Sequence, residues 1–128
     1  MESNMDLIEL SRNSLLVLHL IGQAALLGGF LTQLRAASSG QAKILPVMLH
    51  GAWTALAAGV LLVGLAEYRV AMGADFEVNH IKIGVKSLVM TVILVLLYAQ
   101  KKKDAVRASA FWAIGALTLA NVVLAVFW

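Results

Sequence analysis

The sequence predicts an all-α membrane protein that folds as an up-down bundle of four transmembrane helices. Its 128 residues are 61% hydrophobic, with a mean hydropathy of +0.87, whereas soluble domains contain about 45–50% apolar residues. Four apolar segments contain roughly 20 residues each, enough to cross a hydrocarbon core about 30 Å thick. The connecting loops are short, which favours antiparallel neighbours in a single domain covering residues 1–128.

The apolar segments define the predicted helices. Residues 1–12 are polar and mostly acidic, so we expect no more than an interfacial helical turn there. The second segment begins at Pro46, a residue that suits the first turn of a helix. The third begins polar and cationic and becomes apolar from Ser87 to Tyr98. The predicted helices cover about residues 13–34, 46–66, 79–99 and 109–128.

Charged residues predict the orientation, because lysine and arginine are retained on the cytoplasmic side of a membrane. The first and third loops with their flanks are basic and contain Arg35, Lys43, Lys101, Lys102, Lys103 and Arg107. The N-terminal segment and the second loop are acidic and contain Glu2, Asp6, Glu9, Glu67, Asp75 and Glu77. Both termini are therefore predicted to be extracytoplasmic. Trp112 and Trp128 are predicted to anchor the fourth helix at the two membrane interfaces.

Small residues at i,i+4 spacing predict close helix contacts, since they let helix backbones approach each other in lipid. They are Ala24, Ala25, Gly28 and Gly29 in the first segment, Gly51, Ala55 and Gly59 in the second, and Ala116 and Ala120 in the fourth. We expect these faces to assemble the bundle.

Each predicted helix also has one polar stripe, at about 100° per residue. The stripes consist of His19, Gln23, Phe30 and Gln33; His50, Thr54, Leu61 and Tyr68; His80, Gly84, Ser87, Thr91 and Tyr98; and Thr118 with Asn121. Polar groups in hydrocarbon are costly and tend to face the bundle interior. Four stripes therefore predict a polar seam along the bundle axis.

The outer half of this seam collects the residues best suited to bind a cofactor. They are His19, Gln23, Tyr68, His80, Lys86 and Asn121. His19 and His80 differ in predicted depth by about 8 or 9 Å, a gap that helix tilt can close. They are candidate axial ligands of one haem iron, or ligands of another metal ion. His50 is predicted to lie roughly 15 Å from His19 in depth, too far to share an iron.

Lys86 is the candidate partner of a haem propionate or another anion. A plainer alternative is that its ammonium group extends to the headgroups. The histidines have a plainer alternative as well, in which they only hydrogen-bond neighbouring helices. The sequence contains no cysteine, which excludes disulfides, iron–sulfur clusters and thiolate metal sites.

Two segments resemble helices of a known group of small bacterial membrane proteins. The first reads Leu18-His19-Leu20-Ile21-Gly22, then Leu27-Gly28-Gly29-Phe30-Leu31, with Arg35 at its end; the second reads His80-Ile81-Lys82-Ile83-Gly84-Val85-Lys86-Ser87-Leu88. The sequence here resembles the copper-resistance-D and HemJ-type protoporphyrinogen oxidase group. The resemblance implies a haem- or copper-linked bundle in the bacterial inner membrane, with His19 and Lys86 at matching positions. Leu27 stands where that group often has tryptophan.

Three functional hypotheses follow. The leading one is a b-type haem protein of the bilayer with an electron-transfer or redox role, exchanging electrons with a quinone or a protein partner. The second is a non-enzymatic accessory subunit or assembly factor that docks a larger membrane complex through its small-residue faces. The third is the handling of copper or another cation through His19 and His80, and transport by so short a chain would require a homo-oligomer.

Several classes of function are excluded or unsupported. The sequence offers no nucleotide-binding loop, catalytic triad or paired carboxylates, so hydrolase and kinase activities are set aside. The net charge of +3 comes from residues at helix ends, which set topology, and does not indicate nucleic acid. Whether the protein is an enzyme stays open.

The orientation can be tested with single cysteines, because the natural sequence contains none. Ser39→Cys and Asp104→Cys should be shielded from a membrane-impermeant thiol reagent in intact cells, and Asp75→Cys should be labelled. The opposite labelling pattern would show that the basic loops do not face the cytoplasm.

Overall fold

The protein is an all-α bundle, as the sequence predicts. The computed structural model describes residues 2–73, 75 and 77–127, without the side chains of residues 2–5 and 126. The helices are α1 (Glu2–Thr32), α2 (Leu34–Ser38), α3 (Pro46–Ala71), α4 (His80–Gln100) and α5 (Ala108–Phe127). Within the described residues, four helices are long and apolar enough to span a membrane. Trp128, one of the two predicted anchors, lies outside the described residues.

Helix α1 is longer than predicted. It begins at Glu2 and contains 31 residues, which corresponds to roughly 46 Å. The expectation of a single helical turn in residues 1–12 is therefore wrong. That stretch contains no proline or glycine, so the helix continues through it although its residues are polar. Because a hydrocarbon core is about 30 Å thick, α1 extends beyond the membrane at its N-terminal end.

The loops before α3 and before α5 meet at one end of the bundle. The backbone N–H of Val106 donates to the carbonyl oxygen of Ala42 at 2.8 Å. Two glutamine side chains hydrogen-bond to the backbone of these loops. Oε1 of Gln33 accepts from the backbone N–H of Lys43 at 2.9 Å, and Oε1 of Gln100 accepts from the backbone N–H of Arg107 at 3.0 Å. These contacts place both basic loops on the same side, as an up-down bundle requires. Which side of the membrane that is stays a prediction.

The bundle consists of two helical hairpins, since α1 packs chiefly on α3 and α4 chiefly on α5. The closest approach is between the backbones of α1 and α3. A Cβ atom placed on Gly22 would lie 2.5 Å from the nitrogen of Ala55 and 2.6 Å from the carbonyl oxygen of Gly51. One placed on Gly51 would lie 2.7 Å from the carbonyl oxygen of Gly22. Only glycine fits at either position.

The predicted packing faces are partly wrong. Gly29, Gly51 and Ala55 do lie in the α1–α3 contact, but a Cβ on Gly28 would meet no atom within 4 Å. Ala24 of α1, like Ala116 and Ala120 of α5, is exposed. The face of α1 that meets α3 is instead marked by Gly22 and Gly29, seven residues apart.

Aromatic side chains join the two hairpins near the loop end. The ring of Phe30 fills the space left by Gly115 and stacks on Phe111, with ring centroids 4.6 Å apart. Trp112 lies edge-on to Phe30 and is half-exposed, which is compatible with its predicted role as an anchor. The core around these rings includes Leu26, Ile93, Leu97 and Ile114.

Two alanine substitutions on the same helix test the α1–α3 contact. Gly22→Ala should destabilise the bundle by about 1–3 kcal/mol, because the new methyl group meets backbone that cannot move aside. Gly28→Ala should be neutral or stabilising by up to about 1 kcal/mol, since alanine favours helix and the site is open. Thermal unfolding in detergent measures both, and equal melting temperatures would refute the proposed contact.

Candidate functional site

A cavity of about 340 Å³ lies between the four long helices, at the end of the bundle opposite the joined loops. Its polar lining comes from His19 of α1, Lys86 and Ser87 of α4, and Asn121 of α5. The rest of the lining is Gly59, aliphatic side chains and Met90. We call it the His19 cavity. Its lining suits an occupant that is mostly apolar with a few polar atoms.

His19 is held in place by helix α3. Its ring nitrogen Nδ1 lies 2.6 Å from the carbonyl oxygen of Ala55. Because a carbonyl oxygen can only accept, Nδ1 carries a proton, and in the neutral form of the ring Nε2 carries the lone pair. The described residues offer Nε2 no hydrogen-bond partner. Metal-binding histidines are commonly oriented by such a bond from the other ring nitrogen.

Gly59 makes room for the imidazole ring. A Cβ on this residue would lie 3.3 Å from both Nδ1 and Cε1 of His19, closer than side chains normally pack. Gly59 was predicted to mark a contact between helix backbones, but what it meets is this ring. The small residue therefore sets the position of the histidine.

Lys86 lies on the same cavity and is partly buried. Within the described part of the chain its ammonium group has no ion pair or hydrogen bond. The described residues that line the cavity thus include one lysine and no acidic side chain.

Two amide side chains are buried without adequate partners. Asn121, 4% exposed, lines the cavity, and its Oδ1 has no hydrogen-bond partner among the described residues. Gln23, 3% exposed, lies one helical turn from His19, and neither of its amide atoms has a partner there. It does not line the cavity. The nearby hydroxyl of Thr118 is satisfied, since it donates to the carbonyl oxygen of Ile114 at 2.7 Å.

His80 lies outside the cavity. It is 75% exposed, and its Nε2–H donates to Oε1 of Glu67 at 2.7 Å. The pair bridges the end of α3 and the start of α4. The structure therefore brings His19, Lys86 and Asn121 together but does not bring His80 to them. His50 is also exposed and away from the cavity lining.

The predicted polar seam is wrong for α3 and α4. Their stripes lie mostly on the surface, including His50, Tyr68, His80, Thr91 and Tyr98. Contact with α1 through Gly51 and Ala55 determines which face of α3 points inward. Some of these surface polar groups have hydrogen-bond partners: Trp53 Nε1 of α3 donates to Tyr98 Oη of α4 at 2.8 Å, and Thr91 donates to the carbonyl oxygen of Ser87 at 2.8 Å.

Of the lining residues that carry a polar or sulfur atom in the side chain, Ser87 and Met90 were not among the predicted site residues. Met90 was interpreted as a packing residue, and Ser87 only as part of the α4 stripe. Met90 lies four positions after Lys86 and therefore on the same side of the helix, and that spacing was the available signal. Ser87 is the next residue after Lys86, so its helical spacing gave no such signal.

The described residues contain no group of three or more histidine, cysteine, aspartate or glutamate side chains able to hold a metal ion. A site built from His19 and His80 stays a prediction.

Comparisons of the chain with protein-family models, curated proteins and solved structures find no match. Within the described residues, four helices are long and apolar enough to cross a membrane, and the resemblance to a named group rests on the two quoted segments alone.

The state of the His19 ring can be tested directly. Nitrogen NMR of histidine-labelled protein in detergent, recorded at an alkaline pH where imidazole rings are neutral, should show His19 protonated at Nδ1. Gly59→Ala should shift these resonances, because the added methyl group pushes on the ring. Gly64→Ala, on the same helix with no atom within 4 Å of the new Cβ, should leave them unchanged. A His19 ring protonated at Nε2 would contradict the bond to Ala55.

Proposed function

We propose that the protein binds a b-type haem in the His19 cavity, with His19 as the axial ligand. The observation that carries the proposal is the bond between His19 Nδ1 and the Ala55 carbonyl oxygen, which leaves Nε2 available as a ligand atom with no partner among the described residues. Imidazole with an oriented ring is a common haem ligand.

The remaining lining is chemically suitable for a porphyrin. Most of it is aliphatic, and the ammonium group of Lys86 would pair with a propionate. The volume of about 340 Å³ is near the lower limit for ligand sites, which range over about 300–1,000 Å³. The cavity is bordered by the exposed residues Val60, Ser87 and Ala125, so a larger ring would extend between the helices toward lipid.

In this proposal, residues of the chain bind the haem and tune its redox potential. A haem iron supplies one-electron transfer, and its potential depends on the axial ligand and on nearby charge and burial. His19 would hold the iron, the Ala55 carbonyl would orient the ring and increase its basicity, and Lys86 would favour the more reduced, less positive state of the iron. Exchange of electrons with a quinone or a protein partner is part of the proposal.

The described lining of the cavity contains no histidine other than His19 for the second axial position. His80 was the predicted second ligand, but its ring nitrogen is bonded to Glu67 at the surface. Binding through His80 would require that pair to break and the side chain to move inward. We therefore propose His19 as the one histidine ligand that the cavity provides.

Absorption spectra of matched histidine variants test the haem proposal. Purified wild-type protein, expressed with haem supplied, should show a Soret band that shifts on reduction. His19→Ala and His19→Gln should both lose cofactor, because neither side chain supplies an imidazole. His80→Ala and His50→Ala, at surface histidines, should keep at least most of it.

Two results would overturn this assignment. Loss of haem in His50→Ala with retention in His19→Ala would place the ligand elsewhere. Retention in all the variants would mean that no histidine binds the cofactor. Loss in both His19→Ala and His80→Ala would restore the predicted two-histidine ligation.

The open small-residue face favours a second candidate, an accessory subunit or assembly factor. Ala24 is exposed and Gly28 has no neighbour, so this face of α1 would let another helix approach closely. A colourless, metal-free protein that copurifies with a larger membrane complex, and loses it in Gly28→Leu, would support this function instead.

A further inference from the structure

Lys86 places a positive charge in the wall of a cavity whose described lining contains no acidic residue. Its side chain lines the His19 cavity and is partly buried. Within the described residues, Lys86 also has no ion pair or hydrogen bond. Partial burial of an ammonium group without an anion costs free energy, so the cavity favours an occupant that carries a negative charge.

The rest of the wall limits the size and polarity of that occupant. Most of the lining side chains are aliphatic, and along α3 the lining extends from Ala55 to Val63, a length of roughly 12 Å. The volume of about 340 Å³ corresponds to roughly eleven groups of the size of a water molecule, at about 30 Å³ each. One acyl chain of roughly ten carbon atoms fits this space, whereas a phospholipid with two long chains does not.

The position of Lys86 matches the charged end of such a molecule. Lys86 lies six residues after His80, the first residue of α4, and the lining of α4 continues one turn deeper to the buried Met90. A carboxylate at Lys86 would therefore lie toward the end of the bundle, with its chain directed to the interior. The exposed lining residues Val60 and Ala125 leave the side of the cavity open to the bilayer.

We infer that the His19 cavity binds a lipophilic carboxylic acid with a single acyl chain, whose carboxylate pairs with the ammonium group of Lys86. Hydrogen bonds between oppositely charged groups are about twice as strong as those between neutral groups. Lys86 therefore makes the cavity select an acid over the ester or the alcohol of the same chain. The inference goes beyond the haem proposal, because it assigns the cavity a smaller ligand and does not require His19 to bind a metal.

Extension of Lys86 to the lipid headgroups is the competing explanation. A lysine can keep its ammonium group in the membrane interface while its stem lies along an apolar surface. The cavity would then accept uncharged chains as readily as acids. Selectivity for the charged ligand therefore separates the two explanations.

Photo-crosslinking in phosphatidylcholine nanodiscs tests the inference without detergent, whose alkyl chains would compete for the cavity. The probe is decanoic acid with a diazirine on its chain, and mass spectrometry of the digested protein identifies the labelled residues. Unlabelled decanoic acid, methyl decanoate and decanol are the competitors, compared at equal amounts in the bilayer. The variants are Lys86→Met, Lys86→Arg and the matched control Lys82→Met, one turn earlier on α4 and outside the described cavity lining.

In wild type and Lys82→Met, the label should fall on cavity residues such as Val63 and Met90. Decanoic acid should compete about tenfold or more better than its ester or the alcohol. Lys86→Met should lose most of this preference while keeping weak labelling, because the aliphatic wall is unchanged. Lys86→Arg should keep most of the preference, since arginine carries the same charge.

Two results would overturn the inference. Equal competition by the acid and the ester in wild type, or an unchanged preference in Lys86→Met, would assign the ammonium group to the headgroups. Labelling confined to residues outside the cavity would place the acid elsewhere.

The same labelling, repeated on protein expressed with haem supplied, distinguishes this inference from the haem proposal. Haem uptake that requires His19, without acid-selective labelling of the haem-free protein, would support the haem proposal and overturn the inference. Acid-selective labelling of a protein that takes up no haem would support the inference and overturn the haem proposal. Displacement of the probe by haem would support both.

Discussion

The contact between the backbones of α1 and α3 determines much of this structure. Gly22 and Gly51 let the helices approach until the peptide groups touch, and lipid offers no hydrophobic force that could replace such packing. Ala55 connects this contact to the site. Its nitrogen lies against Gly22, and its carbonyl oxygen accepts from His19, which is one turn earlier on α1. The packing that holds the first hairpin together therefore also positions the imidazole ring of His19.

Polar groups are distributed unevenly between the two ends of the bundle. Near the loops, Gln33 and Gln100 accept from backbone donors, and the interior is filled by Phe30 and Phe111. Near the His19 cavity, buried amide atoms lack partners. A polar group without a hydrogen-bond partner costs free energy in a membrane interior. We therefore interpret the unpaired amide atoms near the cavity as having a functional role.

Hydropathy predicted the four membrane helices because a spanning segment must be apolar over its whole length, a property of composition. The rotation of each helix was harder to predict, since helices in lipid are apolar on all sides. The polar stripes assigned His50 and His80 to the bundle interior, whereas both side chains are exposed. The search for small residues at i,i+4 spacing missed Gly22, because the residue at its i+4 position is Leu26. Gly29, seven positions after Gly22, lies on the same face of α1. His19, Lys86 and Asn121, which were predicted to share the outer half of the bundle from their chemical type and depth, do line one cavity.

The hairpins are joined firmly at one end and loosely at the other. Stacked rings and a loop-to-loop hydrogen bond connect them near Ala42 and Val106, whereas at the cavity end the exposed Glu67–His80 pair is a surface contact, a type worth about 0–1 kcal/mol. The two hairpins are therefore held together mainly at the loop end of the bundle. A molecule entering sideways from the bilayer would need to separate the helices only at the cavity end. Its binding energy would then strengthen the association between hairpins and leave each hairpin unchanged.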